Sequence, residues 1–156
     1  MGLSKIIIRA YRPGDCPELL KLLYDTVHTI CARDYSPEQL EAWADGKPDM
    51  TQWERSFLEH DTLVAELGGV TAGFGDITAE GYLDRLYVHR DYQGLGIATA
   101  LCDRLEAGHS PITTYASITA KPFFLKRGYR VVRENRVVRH NIELINYLME
   151  KHTNLL

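Results

Sequence analysis

The chain has 156 residues, of which 45% are hydrophobic and 25% are charged, and its formal net charge is −3. This composition is typical of a globular protein and excludes a disordered chain, which would have fewer apolar residues and more net charge. The basic residues form no block of the kind that binds nucleic acid, and no apolar run approaches the ~20 residues of a membrane span. We therefore expect no nucleic-acid or membrane partner. No repeat or linker interrupts the sequence, which predicts one domain over residues 1–156.

The cysteines are Cys16, Cys31 and Cys102, and they form no C-x-x-C pair. An odd number at such wide spacings argues against a disulfide scaffold and against a zinc site. We expect the thiols to be packing residues and no metal to be bound. A reducing cytoplasm is the expected location.

The N-terminal part predicts a short strand and then a helix. Residues 5–10 are rich in β-branched side chains and predict the strand. Asp15 and Glu18 have the spacing of a capping box, with Pro17 in the first turn, and predict that the helix begins there. Its expected apolar face consists of Leu19, Leu20, Leu23, Val27 and Ile30.

Two more helices are predicted before the first long run of strands. Ser36, followed three residues later by Gln39, has the capping-box pattern of a helix start. The inner face of this second helix is expected to carry Leu40, Trp43 and Ala44. A third, short helix is predicted around Phe57, with Asp49 or Thr51 as its N-cap.

The middle of the chain changes to the alternating period of strands. Residues 62–67 and 70–77 flank Gly68-Gly69, a pattern that predicts a hairpin. After a further turn, residues 82–88 predict another strand, and we expect these three strands to form an antiparallel meander.

Helical spacing returns at Ile97, Leu101 and Leu105, and Gly108 is expected to end this helix. The remaining predicted elements are a strand at 112–116, a helix at 121–127, and strands at 129–138 and 142–149.

Residues 93–98 form a glycine-bearing loop between a strand and a helix. Gly94 and Gly96 lack a Cβ atom, so an anion can approach the backbone closely. The N–H groups of the loop and of the first helical turn point to one place, which predicts a phosphate or pyrophosphate site. The Walker pattern G-x-x-x-x-G-K-[ST] is absent, and Thr99 stands where G-x-G-x-x-G requires its third glycine. A plain strand-to-helix turn remains the alternative.

A longer pattern is more specific. Residues 93–98, QGLGIA, match the signature Q/R-x-x-G-x-G/A of the GNAT N-acetyltransferases, and residues 86–89, LYVH, resemble that family's fourth strand. Residues 120–129, AKPFFLKRGY, resemble its second coenzyme A segment, A-x-x-F-Y-x-K-x-G-F. The predicted order of elements is also similar to that of the family over nearly the whole chain.

The resemblance implies an α/β (α+β) fold with a mixed central sheet of about six or seven strands, about four helices, and fourth and fifth strands that splay apart. It also implies that the pantetheine arm of acetyl-CoA, the co-substrate, lies in that gap. The acetyl group would pass to a primary amine on a small molecule, a peptide N-terminus or a lysine. The alternative is a catalytically idle acyl-CoA-binding sensor module. Homodimers are common among proteins similar to this one.

The resemblance assigns the acetyl-CoA contacts to the fourth strand, the glycine loop and the second segment. Ser117 stands where the family has asparagine, and its hydroxyl would still bond the pantetheine. The implied contact residues are Leu86, Tyr87, Val88, Gln93, Gly94, Leu95, Gly96, Ile97, Ala98, Thr99, Ser117, Phe123, Phe124, Lys126 and Arg127.

The resemblance also implies catalytic roles. Asp84 is the expected base, acting on the protonated amine, and the Leu86 N–H is the expected donor to the tetrahedral oxyanion. Asp76 is a weaker candidate for the base, and a structural ion pair of Asp84 with an arginine is the alternative.

The family's usual proton donor is a tyrosine at the position of Phe124. Either another hydroxyl protonates the leaving thiolate, or the thiolate leaves unassisted, because a thiol of pKa about 8.5 is a tolerable leaving group. The candidate hydroxyls are those of Tyr129, Tyr115 and Tyr87. The first two helices would form the wall of the acceptor pocket, where His28 and Tyr35 are the expected substrate contacts.

Overall fold

The computed structural model describes residues 5–153. Its strands are β1 (Ile6–Ala10), β2 (Asp61–Leu67), β3 (Val70–Ile77), β4 (Leu83–Val88), β5 (Ile112–Ser117), β6 (Arg130–Arg139) and β7 (Ile142–Lys151). Its helices are α1 (Cys16–Thr29), α2 (Pro37–Trp43), α3 (Met50–Glu59), α4 (Ile97–Leu105) and α5 (Lys121–Lys126), with short 3-10 turns at Cys31–Arg33 and Arg90–Tyr92. The predicted order of elements is confirmed. None of the helices described in residues 5–153 has the length and apolar content to cross a bilayer.

The strands form two antiparallel sheets that meet along β4 and β5. The first sheet has the order β1-β2-β3-β4 and the second β5-β7-β6. They are joined by one parallel bridge between Tyr82 and Thr113 and by the Thr114 hydroxyl, which donates to the carbonyl of Leu83 at 2.8 Å. Beyond that point β4 and β5 are not paired within the described chain. Their C-terminal halves therefore enclose a gap, as predicted.

Helices cover both faces of the first sheet. On one face α1 and α3 pack on Val64 and Phe74, and on the other face α4 packs on Ala65 and Ala72. The helix α4 lies close to β3 because Gly73 and Gly75 have no side chain: a Cβ atom would lie 3.0 Å from Ile97 at the first position and 2.9 Å from Leu105 at the second.

Two predicted helix starts are confirmed. The Ser36 hydroxyl accepts from the Gln39 N–H at 3.2 Å, and the Gln39 side chain accepts from the Ser36 N–H at 2.9 Å, which completes the capping box of α2. Asp49, one of the two candidate caps for α3, accepts from the Gln52 N–H at 3.1 Å.

The predicted capping box of α1 was wrong. The Asp15 side chain makes no cap hydrogen bond and instead accepts two bonds from Arg9, at 2.8 and 3.0 Å. Two charge-assisted bonds to a guanidinium are stronger than one bond to a helical N–H, and they fasten the start of α1 to β1. The helix ends at Thr29, so Ile30 follows it as a half-buried C-cap.

A buried ionic cluster fastens α4 to the second sheet. Glu106 is only 6% exposed and accepts from Arg127 at 2.6 Å, from Tyr129 at 2.8 Å and from Lys151 at 2.8 Å. Burial opposes ionisation of Glu106, but the hydrogen bonds from Arg127, Lys151 and Tyr129 outweigh it and lower the pKa of this carboxyl group. The fold therefore depends on a charged Glu106.

Replacing Glu106 by glutamine keeps the shape but removes the anion, so we expect Glu106→Gln to lower the free energy of unfolding by about 2–4 kcal/mol at neutral pH. Because the pKa is lowered in the folded state, the contribution of the wild-type carboxylate is complete above ~4.3, the unfolded pKa, and is lost as the pH falls through the folded value. Urea unfolding of both proteins at a series of pH values measures the difference.

The matched control is Glu134→Gln, because Glu134 is an exposed acid on β6 with its nearest cation, Arg136, at 3.7 Å. We expect a change within about 0.5 kcal/mol. If Glu106→Gln lowered the free energy of unfolding by the same amount at acid and at neutral pH, the stabilising role of the Glu106 carboxylate would be contradicted.

Candidate active site

A β-bulge in β4 brings two charged side chains to one cavity. Arg85 pairs with Asp76 of β3, whereas the next pair along is Leu83 with Ile77, so Asp84 is an extra residue without a partner. In a regular strand Asp84 and Arg85 would face opposite sides of the sheet. Because of the bulge, both line the cavity between β4, β5, β7, α2 and α3.

This cavity has a volume of about 620 Å³ and mixed walls. Its aromatic lining residues are Tyr35, Trp43, Trp53, Tyr82, Tyr87 and Tyr115, and its charged lining residues are Arg55, Glu59, Asp84, Arg85 and Arg139. Pockets of this size and mixture of apolar and polar groups accept small molecules. Four of these residues were predicted from the sequence: Asp84 as base, Tyr35 as a substrate contact, and Tyr87 and Tyr115 as candidate proton donors.

Arg85 is held firmly on one side. Its Nη1 donates to the Asp76 carboxylate at 2.6 Å and to the Ser56 hydroxyl at 2.8 Å. Its guanidinium carbon lies 4.5 Å from the centre of the Trp53 ring, within range of a cation–π contact. Its Nη2 is 3.6 Å from the Asp84 carboxylate, which is a salt-bridge distance but too long for a hydrogen bond. The structural ion pair that was the alternative for Asp84 is therefore present, in a loose form.

Asp76, the second candidate base, has a different position. It is fully buried, does not line the cavity, and accepts from Arg85 and from His60, whose Nδ1 lies at 3.0 Å. Burial raises its pKa, and the charge of Arg85 opposes that rise. His60, Asp76 and Asp84 offer atoms within 4.8 Å of one another, but the Arg85 guanidinium lies 2.6 Å from the Asp76 carboxylate and 3.6 Å from that of Asp84, which puts a positive charge beside these donors. Asp76 is thus the buried counter-ion of Arg85.

The backbone of β4 has groups that face the gap and have no strand partner there. The N–H of His89 donates to the Ala72 carbonyl of β3 at 2.8 Å, so by alternation the N–H and C=O groups of Leu86 and Val88 point away from β3. The Val88 carbonyl accepts from Gln93 Nε2 at 2.7 Å and from the Thr26 hydroxyl at 3.1 Å.

Ser117 lies across the gap. It stands four residues after Thr113 of the sheet-joining bridge, as Leu86 stands four residues after Tyr82. Its oxygen accepts from the Ala120 N–H at 3.0 Å, which leaves the hydroxyl proton available to a ligand.

The glycine loop is exposed and its amides are unpaired. Gly94 and Gly96 have φ values of 75° and 86°, and a Cβ atom at either would meet nothing within 4 Å. In the described chain no protein acceptor is paired with any backbone N–H from residue 93 to residue 99. These amides surround the N-terminus of the nine-residue helix α4, where the helix dipole is positive. The loop therefore has the unpaired amides that the predicted anion site requires.

The second coenzyme A segment forms α5 and the turn after it. Phe123 is half-buried, and Phe124 is only 3% exposed, with its ring centre 4.9 Å from that of Tyr129. Lys126 is exposed, whereas Arg127 is held by Glu106 and by Asp103 at 2.7 Å. Of the two predicted phosphate contacts, Lys126 is the one whose side chain is exposed.

Two further predicted site residues have structural partners outside the cavity. The Tyr129 hydroxyl is buried and donates to Glu106, and burial, followed by that carboxylate, raises the pKa of Tyr129. His28 is half-buried against the end of α2, with its Nε2 2.7 Å from the Ala44 carbonyl and its ring centre 4.2 Å from that of Tyr24. Neither residue lines the cavity, so their contacts favour structural roles for Tyr129 and His28 over those of proton donor and substrate contact.

Tyr35 does line the cavity, but its hydroxyl is engaged. It donates to the Ile145 carbonyl at 2.6 Å and accepts from the Ile118 N–H at 2.9 Å, so it connects β7 to the end of β5. Burial raises its pKa to about 12, against the lowering effect of the Ile118 N–H. Only the ring of Tyr35 is therefore available to contact a molecule in the cavity.

Arg85, Trp53 and Asn146 also line the cavity, and none of them was predicted from the sequence. Trp53 lies on a helix expected only to pack, and Asn146 pairs with Ser117 from the distant strand β7. The position of Arg85 depends on the bulge, for which the sequence has no local signal.

Comparisons with known proteins agree with this geometry. Residues 31–151 match the sequence profile of the Acetyltransferase (GNAT) domain. YafP, an uncharacterized N-acetyltransferase of Escherichia coli (strain K12), is 34% identical over 147 residues, which cover 94% of this chain and 96% of that protein.

Two solved structures have the same fold. A GCN5-related N-acetyltransferase from Rhodopseudomonas palustris matches with a TM-score of 0.91 and 35% identity, over 98% of this chain and 99% of that one. The PaiA N-acetyltransferase of Thermoplasma acidophilum, solved in complex with coenzyme A, matches with a TM-score of 0.79 and 20% identity, over 96% of this chain and 99% of that one. The predicted α/β fold with splayed β4 and β5 is confirmed. Because both the profile and the relatives extend over most of its length, the chain belongs to the GNAT family of acetyltransferases.

Proposed function

We propose that this protein transfers the acetyl group of acetyl-CoA to a primary amine by direct attack within a ternary complex. The observation that carries the proposal is the continuity of the site: unpaired amides of the loop at 93–99, the gap between β4 and β5, and a cavity with Asp84 in its wall. Acetyl-CoA supplies the thioester, and the chain's own groups bind, orient and exchange protons.

A covalent route through cysteine is not favoured. All three thiols are buried, and burial raises the pKa of Cys31 to about 11 and that of Cys102 to about 12. The pKa of Cys16 is also raised by burial. Because the thiolate is the nucleophilic form, these residues support packing roles and leave direct transfer as the proposed route.

For acetyl-CoA we propose that the diphosphate binds the amides at 93–99 and that the pantetheine arm follows the backbone groups of Leu86 and Val88 that point away from β3. Phe123 would flank the arm, and Lys126 would approach the nucleotide phosphates. The coenzyme A complex of the PaiA protein supports a site for this ligand in the fold. The Gln93 side chain, now on the Val88 carbonyl, would move when the arm binds there.

Leu95 offers a test of the diphosphate site, because its side chain is 53% exposed in the loop and contributes little to the core. We expect Leu95→Glu to raise the Kd for acetyl-CoA by about 10- to 100-fold at low salt, since the new carboxylate repels the diphosphate, and the effect should shrink as ionic strength rises. Isothermal titration measures the Kd, and acetyl-pantetheine, which lacks the diphosphate, should be unaffected.

The matched control is Ile7→Glu, a substitution of the same kind on β1 at a side chain that is 55% exposed. Its Kd for acetyl-CoA should equal that of the unmodified protein. Equal Kd values for Leu95→Glu and Ile7→Glu would remove the loop as the diphosphate site.

For the acceptor we propose Asp84 as the base. An alkyl amine has a pKa near 10.4 and is mostly protonated at neutral pH, so a group in the cavity must remove a proton before attack. Asp84 is a half-buried carboxylate at the bulge, next to the residues whose backbone faces the gap. The N–H of Leu86 would donate to the oxyanion that forms on the acetyl carbon.

We expect Asp84→Asn to lower kcat by about 100-fold or more with little change in the Kd for acetyl-CoA. The remaining rate should rise with pH toward the pKa of the amine, because the variant must take its substrate already deprotonated from solution. Steady-state thiol release between pH values of about 6 and 10 measures this profile.

The control for Asp84→Asn is Glu59→Gln, which removes another carboxylate of the same cavity at an exposed position on α3. Its profile should match that of the wild type. A pH profile of Asp84→Asn that overlays the wild type would remove Asp84 as the base.

Because the Tyr129 hydroxyl is buried and bonded to Glu106, we propose Tyr87 as the donor of a proton to the leaving thiolate. Tyr87 follows Leu86 on β4, and its side chain lines the cavity. Burial raises its pKa, which keeps the hydroxyl protonated throughout the neutral range but also makes it a weaker acid, so the support for this role is its position beside Leu86.

Tyr87→Phe should therefore lower kcat by about 10- to 100-fold while leaving the KM for acetyl-CoA near its wild-type value. Tyr115→Phe is the matched variant, because Tyr115 lines the same cavity from β5 and is 39% exposed to solvent. We expect it to change kcat by less than about threefold. If kcat fell equally in the two variants, or did not fall in Tyr87→Phe, Tyr87 would not be the proton donor and the thiolate would leave unassisted.

The idle acyl-CoA-binding module is distinguished by the same assays. Binding of acetyl-CoA without thiol release for any amine would support that alternative. The missing hydroxyl at Phe124 was the main reason to consider an idle module. That reason is weakened because the Phe124 ring is buried against Phe123 and Tyr129 and does not line the cavity.

A further inference from the structure

Arg85 uses only part of its hydrogen-bonding capacity. A guanidinium has five N–H donors, and in the described chain only Nη1 is hydrogen-bonded, to Asp76 and Ser56. Nη2 has the Asp84 carboxylate at 3.6 Å, outside hydrogen-bond range, and Nε has no acceptor among the described residues. Because Arg85 lines the cavity, these donors are available to a bound molecule.

The rigid setting of Arg85 suits it to recognition. Asp76 neutralises part of its charge from the buried side, and Trp53 supports the guanidinium plane from below. The side chain therefore loses little freedom when a ligand binds, which favours affinity. A planar guanidinium is also the group best matched to a carboxylate or carbonyl oxygen.

Asp84 and Arg85 place an anion and a cation side by side in one wall. An α-amino carboxylate has the complementary arrangement, because its ammonium nitrogen and its nearer carboxylate oxygen are separated by only two carbon atoms. In such a complex the amine faces Asp84, and the oxygen accepts from the Arg85 donors. A plain alkyl amine matches only Asp84 and leaves the Arg85 donors without a partner.

The charges at the rim of the cavity favour an acceptor that carries a negative charge. Arg55 and Arg139 both line it and, among the described residues, neither has an acidic partner within ion-pair distance. Glu59 is the acidic group on the same rim, so the rim carries one net positive charge in addition to the Arg85 site. The aromatic walls at Trp53, Tyr82 and Tyr115 offer an apolar surface for the rest of the acceptor.

We infer that the acceptor is an α-amino acid, or another amine with a carbonyl or carboxylate group on the carbon next to the amine, and that Arg85 is its specificity-determining residue. The inference rests on the proposed function and narrows its acceptor class. The reaction itself is unchanged: the amine nitrogen forms the amide bond, the thioester C–S bond breaks, and the amine's proton leaves through Asp84.

The first experiment needs no variant. Thiol release is measured at saturating acetyl-CoA for pairs that differ only by the carboxylate: L-tryptophan with tryptamine, L-phenylalanine with phenethylamine, and L-leucine with isoamylamine. L-phenylalaninamide adds a carbonyl without the negative charge. Rates are compared at equal concentrations of free amine, because the pKa of the amine differs within each pair. We expect kcat/KM at least about 10-fold higher for the amino acid in the preferred pair, with the amide between its two relatives.

The second experiment changes Arg85. Because Arg85→Gln alone would leave buried Asp76 without its cation, we also use the double variant Arg85→Gln with Asp76→Asn. Both should lose the preference through a higher KM for the amino acid, with the KM for the plain amine and the Kd for acetyl-CoA unchanged. Arg85→Lys, which keeps the charge but not the planar fork, should keep part of the preference. The control is Arg136→Gln, at an exposed arginine of β6 that does not line the cavity.

The results distinguish a failure of this inference from a failure of the proposed function. Plain amines turned over as fast as the amino acids in every pair, or a preference that survives in the double variant, would overturn this inference alone. No thiol release with any member of the panel would overturn the proposed function and the inference with it.

Discussion

The partial separation of β4 from β5 is the constraint on which the rest of the site depends. The two strands are joined at one bridge and then diverge, so the backbone groups of Leu86 and Val88 have no strand partner on that side. Unpaired N–H and C=O groups in a protein interior are costly unless a ligand, water or side chain satisfies them. The Gln93 and Thr26 side chains satisfy one of these groups now. A sheet built in this way is prepared for a strand-like ligand.

The bulge at Asp84 turns this gap into a reaction site. One additional residue directs Asp84 and Arg85 to the same face, and the buried pair of Arg85 with Asp76 holds the second of them in place. A buried ion pair adds little to stability by itself, because desolvation offsets the attraction. What it adds here is position: it links α3, through Ser56, to β3 and β4 on the cavity side.

Local sequence signals predicted the local features well. The Ser36 capping box, the glycine hairpin and the strand-to-helix loop before α4 each depend on neighbouring residues, and the conformation of each was confirmed. Predictions that depended on distant partners were less successful. Asp15 is bound by Arg9 across a turn, Tyr129 by Glu106, and His28 by the carbonyl of Ala44. Short-range patterns do not record such partners.

Arg85 was missed for a related reason. Its neighbour Asp84 was identified from its place on the strand, but strict alternation would have put Arg85 on the opposite face. Only the register with β3 reveals the bulge. For Phe124 the sequence showed the replacement of the family's tyrosine. Only the three-dimensional structure showed that the ring is buried against Tyr129.

The strand β4 therefore contacts the core, the gap and the cavity at once, and strand geometry keeps these three contacts apart. Its Leu86 and Val88 side chains pack in the core that α4 completes, and α4 lies close because Gly73 and Gly75 leave it room. The backbone groups of the same two residues face the gap, at a height fixed by that packing. The side chains of Arg85 and Tyr87 face the cavity on the opposite side. Changes to the cavity wall can thus alter which acceptor binds without moving the backbone that meets the thioester, because the two depend on different directions of one strand.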